Sequence, residues 1–222
     1  MIRVAAGELP ATIRIHRPAR EVAFGRQDVV SPGYPAAVRA AEAAGFAAVE
    51  RLAGGRAALF HEGTIAIARA YPDPHPPRRT YARFEEMSEL VAAALASIGV
   101  DARVGEVPGE YCPGGYSVNA RGASKLVGIG QRMIRGGAHV GVVIVVSGSR
   151  LLRDALVPVY EALGLDWDPD TAGSVSDELG REIGRDEVVD ALLSQLRGRQ
   201  ALREGDLDAE TLGLAERLLA GD

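Results

Sequence analysis

The chain has 222 residues, 47% of them apolar and 25% charged, and its 25 basic and 30 acidic side chains leave a net charge of −5. That length suits one large domain, or one domain with an appendage, and the acidic balance argues against a nucleic-acid binder. No run of about 18 apolar residues offers a membrane span, no charged start followed by a long apolar stretch marks a secretory leader, and one cysteine makes neither an internal disulfide nor a cysteine-based metal site. The expected location is the cytoplasm, where a lone thiol stays reduced.

Two short strands are predicted at the start, TIRI (12–15) and EVAFG (21–25). An Ala-rich helix, 35–44, follows a Ser-Pro-Gly turn and is stopped by Gly45. FAAVERL (46–52) reads as a strand, and 57–71 as one or two more. Four prolines in 71–79 exclude regular structure there. Tyr81, Phe84, Met87, Leu90, Val91, Ala94, Leu95 and Ile98 then recur at helical spacing and predict a core-facing helix.

Strands are expected at 101–107, 116–120, 125–134 and 139–146, with a loop at 108–115. The last two strands are joined by a hairpin at Arg135-Gly136-Gly137. Val140 to Val146 is apolar on both faces, which predicts a central strand. Helical segments follow at 151–164, 174–180, 185–196 and 207–221, with Asp186 and Asp208 as N-caps of the last two. A sheet-rich body followed by a helical third, without βαβ alternation, predicts an α+β fold with a mixed, mainly antiparallel sheet.

No P-loop, dinucleotide fingerprint, nucleophile elbow or zinc-protease motif is present. His16, His61, His75 and His139 have no ligand spacing, so no metal ligand set is expected. Two glycine-bearing, charged segments remain. In Arg51-Leu52-Ala53-Gly54-Gly55-Arg56, followed by His61, adjacent glycines let backbone N–H groups face an anion or a carbonyl, or else make a plain tight turn with exposed arginines. His61 alone fits a satisfied buried histidine better than a catalyst.

The second segment carries the only cysteine, Cys112, in a Pro-Gly loop, and the only lysine, Lys125, against 24 arginines. A loop cysteine near Lys125, Arg121 or Arg132 is either a nucleophile favoured as thiolate or an inert thiol. A lysine surviving such an arginine bias is either chance or a demand for a compact point charge.

Together these segments resemble the biotin/lipoate A/B protein ligase family, in particular lipoate–protein ligase A and the cysteine-dependent octanoyltransferases. The first motif matches Arg51, the Gly54-Gly55-Arg56 loop and His61; the second matches Gly122, Lys125, Gly128-Ile129-Gly130-Gln131, the hairpin turn and His139. Val22 to Gln27 resembles the family's early strand ending in Gly-Arg. The chain departs from the pattern with Glu50 before Arg51, one extra residue before His61, and Ala138-His139-Val140-Gly141 in place of His-His-Gly.

The resemblance implies a class II biotin/lipoate ligase-like fold, with a catalytic domain over residues 1–165 and a helical extension, 166–222, packed on it. It implies protein lipoylation: transfer of an octanoyl or lipoyl group through a Cys112 thioester to a lysine of a lipoyl domain or H-protein, with an acyl carrier protein as donor and no cofactor. Cys112 and Lys125 would be catalytic, with Lys125 and the N–H groups of Gly54 and Gly55 facing the oxyanion. Arg51, Gly54, Gly55, Arg56, His61, Gly128, Gln131 and His139 would hold the acyl substrate. An ATP- and magnesium-dependent lipoate ligase working through an acyl-adenylate, with Arg51 and Arg56 on the phosphates, is the alternative; a non-catalytic acyl- or lipoyl-domain-binding protein is the third. Acidic partners would be met by a patch drawn from Arg78, Arg79, Arg121, Lys125, Arg132 and Arg135.

Overall fold

The computed structural model describes residues 1–220. A six-stranded antiparallel sheet is built from β1 (Thr12–His16), β5 (Thr64–Pro72), β9 (Gly137–Val145), β8 (Ser124–Ile134), β7 (Val118–Ala120) and β6 (Ala102–Val104), in that order across the sheet. A second sheet sets β2 (Glu21–Phe24) between a parallel β3 (Ala47–Glu50) and an antiparallel β4 (Ala58–Phe60). The helices are α1 (Ile2–Ala5), α2 (Arg26–Val29), α3 (Tyr34–Ala43), α4 (Thr80–Ser97), α5 (Ser149–Leu163), α6 (Val175–Leu179), α7 (Arg185–Arg199) and α8 (Ala209–Ala220), with short 3-10 turns at Pro76–Arg79 and Pro169–Thr171. This is the mixed α+β architecture the residues imply, and α1 and α2 are the elements the pattern does not reveal. They are a single turn each, too short for a periodic signal.

β9 lies between β5 and β8, as its two apolar faces require. Val140, Val142, Ile144 and Val146 pack with α4 and α7 in one core, which includes Met87, Leu90, Leu95, Val188 and Leu192. Val145 faces a second core, between the small sheet and helices α3 and α5, which holds Phe24, Phe46, Leu156 and Tyr160. No helix among the described residues is long and apolar enough to cross a membrane.

Two expectations are corrected. Tyr81 is 71% exposed, so the buried stripe of α4 begins later, and the charged Arg83 takes the inward position in its first turn. Arg83 is tolerated there because Asp73 (2.6 Å), the Pro76 carbonyl (2.6 Å) and Gln131 (2.9 Å) satisfy its guanidinium. Asp186 is not the cap of α7, which starts one residue earlier after Gly184; its carboxylate pairs with Arg17 instead. Asp208 does cap α8, accepting the Thr211 N–H at 2.7 Å. The expected end of that helix at Gly221 lies outside the described residues.

Candidate active site

The loop between β3 and β4 and the loop between β6 and β7 meet over one face of β8. Their meeting depends on absent side chains. A Cβ on Gly25, at the end of β2, would overlap the Gly55 carbonyl oxygen. Gly55 has φ 99°, and a Cβ there would fall 2.9 Å from Cys112 Sγ and 2.6 Å from an Arg51 nitrogen. A Cβ on Gly130 would sit 3.3 Å from the Gly54 carbonyl. The glycines therefore permit backbone to lie directly on the sheet and against the sulfur.

Cys112 Sγ accepts the Arg56 N–H at 3.2 Å and faces an Arg51 Nη at 3.5 Å. Arg51 is anchored by a 2.5 Å bond from the same Nη to the Arg56 carbonyl, while its buried Nε has no partner. Arg56 is turned the other way, onto the fully buried Asp28, which also receives the Gly25 N–H. An anion at the sulfur or on an attached carbonyl would thus meet a guanidinium and a backbone amide. A shallow depression of about 420 Å³, bordered by Arg26, Gln27, Val30, Gly54 and Gly55, adjoins the glycine loop.

Lys125 reaches this loop because of a bulge. Val118 pairs with Val127 but Asn119 with Lys125, so β8 carries one extra residue there. Leu126 and Val127 both bury in the first core, which strict alternation forbids, and Lys125 is turned to the opposite face. It is 1% exposed. Its ammonium donates to Glu110 Oε1 (2.8 Å), the Tyr111 carbonyl (2.9 Å) and the Cys112 carbonyl (2.7 Å). All three protons are taken, so in this arrangement Lys125 grips the cysteine loop from behind.

Two further residues carry no signal in the sequence. Glu110, also buried, accepts from Val107 N–H, Gly114 N–H and Ser117 Oγ as well as from Lys125. Tyr160, on α5, receives the Cys112 N–H and donates to the Ala57 carbonyl, each at 2.9 Å. Burial, and secondarily the nearby cysteine, push the Tyr160 phenol well up, so it remains a neutral donor. A carboxylate before an aromatic and a tyrosine in an apolar helical stripe look like ordinary core composition; only the fold aims them at Cys112.

The remaining predicted residues divide into two groups. Gly128, Gly130, His139 and Gly141 lie on one face of β8 and β9, by alternation and by the pairing of Gly130 with Gly141. His139 is half-buried, and burial followed by the N-terminal amine and Arg132 lowers its pKa. Gln131 points to the other face and braces Arg83 and the Thr80 carbonyl, while its own carbonyl accepts the Gly54 N–H at 3.4 Å. His61 lies beyond the end of β4, its ring against Gly63 and Gly148, with Nδ1 accepting the Gly63 N–H and Nε2 unpartnered. It makes no hydrogen bond to the cysteine loop. Of the suggested cationic patch, Lys125 is buried and Arg121 pairs with Glu178. Among the described residues no cluster of histidine, cysteine and carboxylate groups could hold a metal ion.

The lipoyl protein ligase A/B catalytic domain matches residues 2–197. The chain is 31% identical over 204 residues to an octanoyl-[GcvH]:protein N-octanoyltransferase of Geobacillus kaustophilus, across 87% of this chain and 72% of that protein. A Bacillus velezensis protein of the same name is 30% identical over 206 residues, across 87% and 71%. Among solved structures, a bipartite lipoate protein ligase from Thermoplasma acidophilum, described with its E2 lipoyl domain, aligns at a TM-score of 0.72 and 20% identity over 95% of this chain and 80% of that chain. Lipoate-protein ligase A bound with ATP aligns at the same score and identity, over 95% and 81%.

Proposed function

The chain belongs to the lipoyl protein ligase A/B catalytic-domain family, and on that footing we propose that it is an octanoyltransferase of protein lipoylation with Cys112 as its nucleophile. The observation that carries this is the position of Cys112 Sγ, against the Arg56 N–H, Arg51 and the bare backbone of Gly55. The donor is an octanoyl group carried on the lysine of an H-protein, and the acceptor is a lysine of a lipoyl domain; the relatives named for octanoyl-GcvH support that choice.

The thiolate of Cys112 attacks the octanoyl carbonyl, and an Sγ–C bond forms. The carbonyl oxygen takes the negative charge, next to Arg51, whose buried Nε is a spare donor, and the amide groups of the Gly55–Arg56 turn. The C–N bond to the donor lysine then breaks, and its amine leaves with a proton taken from water, which is returned when the acceptor's amine gives up a proton in the second half-reaction. The acceptor's amine attacks the thioester, the C–S bond breaks, and the thiolate returns. One amide replaces another, so the balance needs no ATP. Gly128 and Gly141 put no side chain on the same sheet face beside the glycine loop's seat on Gly130, which leaves a surface for the acyl chain, with His139 at one end. Lys125 serves this chemistry by holding the cysteine loop.

The test is intact mass after mixing the protein with octanoylated GcvH, and separately with octanoyl-acyl carrier protein, without nucleotide. An octanoyl adduct on the native chain that hydroxylamine removes, absent from Cys112→Ala, is the expected result. Full transfer by Cys112→Ala, or transfer from free octanoate only when ATP and magnesium are added, would replace this function with the adenylate-forming one.

A further inference from the structure

Cys112 has φ 44°, a conformation that a residue bearing a Cβ adopts only at a cost. Such strain persists where the surroundings over-determine it. Here both peptide groups of Cys112 are claimed by buried side chains, the N–H by Tyr160 and the carbonyl by Lys125. Lys125 is in turn fixed by Glu110, and the same carboxylate ties Val107 N–H, Gly114 N–H and Ser117 Oγ, which lie on both sides of the cysteine. The pair is sealed from water, with both side chains 1% exposed or less.

We infer that Glu110 is a positioning residue for the nucleophile: its charge pins the Lys125 ammonium to the carbonyls of Tyr111 and Cys112, and through them aims Sγ at the Arg56 N–H. This rests on the reading of Cys112 as the attacking group.

Glu110→Gln keeps the shape and the acceptor oxygen but removes the charge. The expected result is a fall in kcat of about 100-fold with octanoylated GcvH, the cost of a nucleophile misplaced on the ångström scale, with KM within about twofold, since the group touches no substrate. Iodoacetamide alkylation of Cys112 at fixed pH, which needs no turnover, is expected to slow as Sγ loses its N–H donors. Melting temperature is recorded for each variant, so that assays run on folded protein.

Where Glu110→Gln alone does not fold, Glu110→Gln with Lys125→Met removes both charges together, and the same loss in kcat is expected from it. Unchanged kcat, or alkylation as fast as in the native chain, overturns the inference. The two readings separate cleanly. Transfer retained by Cys112→Ala would sink the nucleophile assignment, while the alkylation comparison would still report whether Glu110 positions the sulfur.

Discussion

On the proposed function, Cys112 is the residue at which activity opposes stability. Its φ of 44° would suit glycine, and the strain is of the order of 1–2 kcal/mol for a residue with a Cβ. Comparing variants with and without a Cβ tests this directly. Cys112→Gly is expected to be more stable than Cys112→Ala by about 1 kcal/mol, although alanine keeps more of the packing. Chemical denaturation of the two variants checks the order, and an alanine variant as stable as the glycine one would mean that the loop relaxes out of this conformation. Neither variant should form the octanoyl adduct. The sequence exposes Cys112 as a lone cysteine in a Pro-Gly loop, and it exposes Lys125 as a lone lysine. It does not expose their relation, because that depends on a one-residue bulge in β8 and on a carboxylate two positions before the cysteine. Bulges arise from pairing between strands and leave no trace in local composition.

At the scale of elements, α5 shows why legibility stops where it does. Its length and apolar stripe are readable, and Leu152, Ala155, Leu156, Val159 and Tyr160 are buried as the spacing requires. Tyr160 belongs to that stripe by periodicity, and nothing in the period distinguishes its hydroxyl from another core contact. The fold gives it a second task, since the hydroxyl joins the start of β4 to the cysteine loop through Ala57 and Cys112. Tyr160→Phe should cost about 1–3 kcal/mol, because a buried N–H and a buried carbonyl both lose a partner while the ring still fills its place. It should also slow acylation of Cys112, measured by intact mass against time. A variant that loses stability but acylates at the native rate would reduce Tyr160 to a structural tie. The strands behave similarly: β9 is placed in the centre by its two apolar faces, but the glycine loop's seat on β8 needs Gly25, Gly55 and Gly130 to coincide from three separate segments.

The whole molecule is organised as two cores on either side of β9, with the cysteine loop at the rim of the second. Three histidines sit at the margins of these cores in different segments, and burial is the first cause lowering the pKa of each: His16 on β1, His61 after β4 and His139 on β9. The sign of the effect follows from proton binding. Each is depressed below the ordinary 6.5 in the fold, so between the two values the unfolded chain binds more protons than the native one. Stability is therefore complete above 6.5 and is lost as the pH falls below it. His61 should dominate, since it is 1% exposed, its Nδ1 already accepts the Gly63 N–H, and protonation would break that bond. Each such group contributes a slope of at most about 1.4 kcal/mol per pH unit. Urea denaturation between about pH 7.5 and about pH 5.5 should show falling stability, and His61→Gln, which does not titrate there, should flatten the slope relative to its own value at neutral pH. A native chain equally stable at both ends would show that these rings are not held neutral. Because none of the three hydrogen-bonds to Cys112, His61→Gln should form the octanoyl adduct at the native rate wherever it is folded, which separates acid destabilisation from any direct demand of the chemistry for a histidine.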